Sequence, residues 1–272
     1  MATATTPASF AIPRRSLSEW ITVFALEAKY EMYKYVRLHM FSLSTLFFPV
    51  MFYVLFGIVL PGGGHASRTE TATYLLATMA CYGVMGVAMF SFGVGIAMER
   101  GQGWLQVKRA SPMPLPAYFL AKIVNAMAFG LAIALLLHAV GVAFGGVRMA
   151  PLMAVKLISV LVLGSIPFSA MGLAIGYFAK PNSAPAVVNL IYLPMSFCSG
   201  LWIPIFLLPK VLQNVAQVLP PYHVAQLALN AIKMGPYPNP VGGHVEALLG
   251  VTLLFLGLAA YGYWRDEGET YG

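Results

Sequence analysis

The stretch Glu99-Arg100-Gly101-Gln102-Gly103-Trp104-Leu105-Gln106-Val107-Lys108-Arg109-Ala110-Ser111-Pro112 separates two long apolar runs, Tyr74 to Met98 and Ala117 to Val142. It is too short to be a domain and too charged to enter lipid. Its own pattern is that of a small helix. Trp104, Leu105 and Lys108 recur at helical spacing, Pro112 stops the helix, and Lys108 and Arg109 put cations at its C-terminal end, where they suit the dipole. A short helix held between two membrane spans offers a surface on which a partner can push.

Working outward from this break, the chain is 59% hydrophobic and 9% charged over 272 residues. Several of its apolar runs exceed the ~18 residues that mark a membrane span. The fold class is therefore an all-α polytopic membrane protein. A barrel is excluded, because the apolar runs are continuous and do not alternate with period two. The net charge of +7 comes from basic residues scattered near loop ends. A positive-inside bias explains them without any nucleic-acid partner. Cys81 and Cys198 both lie within apolar runs and read as inert core residues, not as a disulfide framework. The N-terminal residues lack the apolar core of a signal peptide, so a cytoplasmic N-terminus is expected.

Residues 1–15 read as a flexible tail. Ser16, with Glu19 three positions on, opens a helix over 16–37 through a capping box. Its apolar residues Leu17, Trp20, Ile21, Phe24, Ala28, Met32, Tyr35 and Val36 leave Glu27, Lys29, Lys34 and Arg37 on other faces, as in a helix lying in the membrane interface. Six spans are expected at about 40–60, 74–98, 117–142, 152–178, 186–202 and 245–264, within one permease domain over 16–264 and before a cytoplasmic tail at 265–272. Pro49 should kink the first span, and Gly164 and Pro167 should interrupt the fourth. Gly172 and Gly176 form a small-xxx-small pair that permits close helix approach. Between spans five and six the chain is apolar yet broken by Pro204, Pro209, Pro220, Pro221, Pro236, Pro238 and Pro240. Its pieces are shorter than a span, as in a re-entrant helical hairpin at 203–240 on the outer face. This layout puts eleven of the sixteen Lys and Arg residues inside and five outside, which places both termini in the cytoplasm.

An interfacial N-terminal helix, six spans, a short helix after the second and a proline-broken pair before the sixth together resemble one family. The residues that carry the likeness are Met98-Glu99-Arg100-Gly101 through Pro112, and Cys198-Ser199-Gly200-Leu201-Trp202-Ile203-Pro204 on through Leu208-Pro209 to Leu219-Pro220. From Ser16 onward the chain resembles the membrane permeases of type-2 ABC transporters. The resemblance implies a coupling helix at 100–111, a second permease copy, two cytoplasmic ABC ATPase subunits and export across a bacterial inner membrane. No G-x-x-x-x-G-K-[ST] phosphate loop occurs in the sequence. ATP and Mg are thus expected on a separate ATPase chain, and no cofactor or metal on this one.

Under that resemblance the candidate ATPase-coupling residues are Glu99, Arg100, Gly101, Trp104, Leu105, Lys108 and Arg109. Glu99 ends an apolar helix, where the dipole disfavours an anion by about 0.3–1 kcal/mol. A charge contact or a solvated end-cap would each account for it. Trp104 and Leu105 would be apolar knobs or membrane-surface anchors. The family's pathway helices correspond to spans two and five, which makes Phe90, Phe92, Asn189, Tyr192 and Phe197 pathway candidates and Pro204, Pro209 and Pro220 markers of an outer gate. Asn189 at a dimer seam, and plain packing for the aromatic residues, are the competing readings. Asn125 and His138 each suit one interhelical hydrogen bond. Apolar, Met-rich walls without buried charge suggest a hydrophobic or amphipathic substrate such as a drug, a lipid or a lipid-linked glycan. A secondary transporter would need buried ionisable residues and an internal repeat, and an intramembrane enzyme would need a polar cluster at depth. A channel or scaffold is the remaining alternative.

Overall fold

The computed structural model describes residues 17–37, 39–60, 67–110, 115–234 and 241–267. The tail over 1–15, the Ser16 half of the first capping box, and Pro236, Pro238 and Pro240 lie outside them. So do Ser111 and Pro112 at the end of the short polar break.

The described residues form twelve α-helices. They are α1 (Leu17–Arg37), α2 (His39–Phe52), α3 (Arg68–Met89), α4 (Gly95–Gly101), α5 (Trp104–Ala110) and α6 (Leu115–Phe144). There follow α7 (Pro151–Leu163), α8 (Ser165–Phe178), α9 (Ala184–Cys198), α10 (Lys210–Ala216), α11 (Pro220–Ala231) and α12 (Val241–Glu267). Two π-helical turns join or extend them, Tyr53–Val59 after α2 and Phe90–Val94 between α3 and α4. Through the second turn, α3 and α4 make one continuous rod over Arg68–Gly101.

Four rods are long and apolar enough to cross a membrane: Arg68–Gly101, Ala117–Phe144, Pro151–Phe178 and Val241–Asp266. Where the first and fifth spans are expected, two shorter apolar helices stand instead, Thr45–Val59 and Ala184–Cys198. The α3–α4 rod is the axis of the molecule. Its apolar window is 94% buried, against 11% for the α12 rod, so the other helices gather round the one and leave the other at the periphery. A helix apolar on all sides belongs in such a central place.

Local chemistry explains most boundaries. Ser67 and Glu70 form a reciprocal capping box, so α3 starts at Arg68, a turn and a half before the apolar run at Tyr74. Gly164 divides α7 from α8, while Pro167 sits inside the first turn of α8. Pro49 lies inside α2.

Gly172 and Gly176 do bring two helices together. A Cβ on Gly172 would stand 2.9 Å from Phe92 Cβ and 3.0 Å from the Met89 carbonyl, and one on Gly176 would stand 2.9 Å from the Phe92 carbonyl. The α8 backbone thus rests directly on the Phe90–Val94 turn.

Between α9 and α12, prolines open helices. Pro204 precedes a 3-10 turn (Ile205–Leu207), Pro209 precedes α10, and Pro220 is the first residue of α11. The two sides of this region differ. Phe206, Leu207, Val211 and Val218 are exposed, whereas nine residues of α11 are buried.

Candidate functional site

The short break folds as two pieces. Glu99, Arg100 and Gly101 are the last turn of α4, and the separate helix begins only at Trp104, after Gly103 turns the chain at φ +76°. The expected helix over 100–111 is thus Trp104–Ala110 among the described residues, standing on an α4 stem.

Trp104 and Val107 face outward, at 56% and 59% exposure. Leu105, expected beside Trp104 as a second knob, is buried at 2%. Lys108 also turns inward, pairing with Glu27 of α1 and lying 4.1 Å over the ring of Tyr118. Arg109 falls in α5, with its side chain outside the described residues. Since 104 and 107 lie three apart on a helix, they present one apolar ridge.

The stem is held on two sides. On one, Glu99 accepts from Lys34 of α1, from the Tyr118 hydroxyl of α6 and, at 3.1 Å, from Lys122 of α6. Lys122 is fully buried and also pairs with Glu31, which lies 3.7 Å from Lys34. Glu31, Lys34, Glu99 and Lys122 thus form a closed group of two anions and two cations, whose charges cancel. Burying charge is costly unless it is paired and hydrogen-bonded, and here each ion has at least two partners. The adjacent Tyr35 donates its hydroxyl proton to the Ser91 carbonyl at 3.0 Å and accepts from Ser91 Oγ at 2.9 Å. A π turn interrupts the regular hydrogen-bond ladder, and Tyr35 takes up a carbonyl within it.

On the other side, Arg100 donates through Nε (3.0 Å) and Nη2 (2.6 Å) to Asp266 of α12, and through Nη1 (2.8 Å) to the Gly176 carbonyl of α8. Gly101 has no room for a side chain, because its Cβ would stand 2.3 Å from Pro181. Neighbouring residues of one helical turn therefore fasten opposite sets of helices.

This geometry corrects one expectation and separates two readings of Glu99. Charge is buried: Lys122, which reads from the sequence as one more inside cation, is a fully buried ion held by two carboxylates. Glu99 is no solvated end-cap either, being 7% exposed. The first helix also turns differently from its sequence pattern. Phe24, Ala28, Met32 and Tyr35 do face the bundle, together with Glu27 and Glu31, while Trp20, Ile21, Tyr30, Tyr33 and Val36 face out. The signal for this was present in Glu27, Glu31 and Lys34 at helical spacing, opposite a lysine inside an apolar run.

The pathway candidates separate. Phe90, Tyr192 and Phe197 belong to one aromatic series. Phe90 meets Tyr192 edge-on at 5.8 Å, Tyr192 stacks on Tyr82 at 4.8 Å, and Tyr82 meets Trp202 at 5.0 Å. Trp202 stacks on Phe197 at 4.7 Å and meets Phe52 at 4.6 Å. Tyr192 also donates to the Tyr82 carbonyl at 3.1 Å. Phe92, 1% exposed, packs against α8, and Asn189 lies on the exposed face of α9. Phe197 is 49% exposed, so the series opens to the surface there. Among the described residues no group of three or more His, Cys, Asp or Glu side chains could hold a metal ion, and both cysteines are free.

Residues 22–232 match the membrane domain of the ABC-2 type transporters, and the chain belongs to that family. It is a transport permease family whose members are membrane subunits and not enzymes, and membership implies an ABC ATPase partner. The chain is also similar to the Bacillus subtilis (strain 168) protein named "Putative transport permease YvfS", with 26% identity over 231 residues, covering 85% of this chain and 93% of that protein.

Proposed function

We propose that this chain is the transmembrane permease subunit of an ATP-driven exporter of the bacterial inner membrane. α5 is its coupling helix, and the Trp104–Val107 ridge is the surface that meets a separate ATPase chain. The observation that carries this reading is the mounting of that ridge. An exposed apolar pair stands on a stem whose Glu99 and Arg100 are ion-paired to α1, α6 and α12. A loop that served only to join two spans would need no such fastening.

In this reading α2 and α9 complete a set of six spans, both termini lie in the cytoplasm, and the α10–α11 hairpin forms the outer gate. Two permease copies work with two ATPase subunits, which bind ATP and Mg. The apolar route runs along the aromatic series from Phe90 to Phe197. Its rings favour a hydrophobic or amphipathic substrate, a drug, a lipid or a lipid-linked glycan, since flat apolar groups gain from stacking on such walls.

Co-purification of the tagged chain with its ATPase, followed by an ATP hydrolysis assay, tests the proposal. Trp104→Ala is expected to lose most of the complex while the permease stays folded. An unchanged complex, or no associated ATPase with the wild type, would overturn it.

A further inference from the structure

The acidic end of the last helix enters the coupling scheme above only as an anchor for the stem of α5, which it touches directly. Asp266 lies in the final turn of α12, where the helix dipole disfavours an anion. It is 8% exposed, and Arg100 supplies its cation. The same guanidinium reaches the Gly176 carbonyl. That group is in the last turn of α8, where carbonyls lack intrahelical partners, so Arg100 also caps α8. Its centre stands 5.7 Å from the Tyr177 ring, and the next residue, Gly101, is seated on Pro181. One arginine thus uses its forked geometry to fasten the ends of three helices at a point four residues before Trp104.

We propose that Asp266 is a positioning residue for the coupling helix: through Arg100 it clamps the ends of α12 and α8 to the stem of α5, so that displacement of α5 is passed to both. This rests on α5 being the docking helix. A lysine at position 100 would keep the charge but lose the fork, and an asparagine at 266 would keep the shape but lose the charge.

The test is amide hydrogen exchange on the full-length chain in lipid nanodiscs, with and without its co-purified ATPase and a non-hydrolysable ATP analogue. Wild type is expected to change protection both at 104–110 and at 262–267 on docking. In Asp266→Asn the change at 104–110 should persist and the change at 262–267 should be lost. Asp266→Glu should restore it. A merely structural role would not separate the two segments in this way. If the response at 262–267 survives in Asp266→Asn, the clamp is refuted while the docking role of α5 stands. If wild type shows no response at 104–110, the docking reading itself falls, and the clamp with it. Should Asp266→Asn not fold, Arg100→Lys reads the same loss.

Discussion

Replacing Lys122 by Met removes one charge from a buried group of four and leaves Glu31 and Glu99 facing a single cation, Lys34. Lys122 is fully buried and the two carboxylates are 5% and 7% exposed, so water cannot stand in for the lost ammonium. Breaking a buried pair by removing one partner costs about 3–5 kcal/mol. The Lys34 side chain is 38% exposed, so Lys34→Met should cost only about 1 kcal/mol or less after solvent screening. For chains of this size ~1 kcal/mol moves a melting midpoint by about 2–4 °C, which predicts a fall of about 6–20 °C for Lys122→Met. Adding Glu31→Gln to Lys122→Met restores charge balance, leaving Glu99 with Lys34, and should recover at least about 1 kcal/mol of the loss. The assay is thermal unfolding in nanodiscs, followed by the reaction of Cys81, buried in the fold, with a thiol-reactive dye. Equal losses for Lys122→Met and Lys34→Met, or a double variant no better than the single, would refute the closed charge group.

Three further outcomes are expected. Gly172→Ala should destabilise by about 1–3 kcal/mol through overpacking, because its Cβ meets the Met89 and Ala88 carbonyls at 3.0 and 3.1 Å; a melting curve checks this. Leu105→Ala should lose about 2–5 kcal/mol of stability by leaving a cavity, whereas Trp104→Ala should change stability by about 0.5 kcal/mol or less, so parallel melts tell the inward from the outward residue. Burial pushes the His223 imidazole below its ordinary range, against a smaller opposing effect from its bond to the Gln217 carbonyl. The folded state then prefers neutral His223, so its contribution is intact above about pH 6.5 and falls as the pH drops below that. Wild type should lose more stability than His223→Gln between about pH 7.5 and about pH 5, measured by the same melts.

Long apolar helices were the easiest part to read from the sequence, since apolar length is a direct signal, and the rods Arg68–Gly101, Ala117–Phe144 and Pro151–Phe178 contain the apolar runs at 74–98, 117–142 and 152–178. The Gly172–Gly176 approach was also legible from its spacing. What was not legible was the facing of polar residues. Glu27 and Glu31 look like the wet side of an interfacial helix, and only the packing of α1 on α5 and α6 turns them inward, onto Lys108 and Lys122. The π turns were invisible for a similar reason, because periodicity in a helix apolar on every side carries no phase. Asp266 sits 166 positions from Arg100, and a sequence gives no reason to join an acidic tail to a loop at that distance.

The wide turn at Phe90–Val94 has a consequence for everything that follows it. A π turn accommodates one residue more than the regular helix, and each α-helical residue rotates the chain by about 100°. Wound as regular α-helix, the same residues would carry Glu99 and Arg100 round by about 100°, so that neither met its own partners. The turn therefore acts as the clocking of the rod, setting the angle at which its far end emerges. A one-residue insertion in α4, past that turn, would leave the span as apolar as before and still carry both acid–base contacts out of reach.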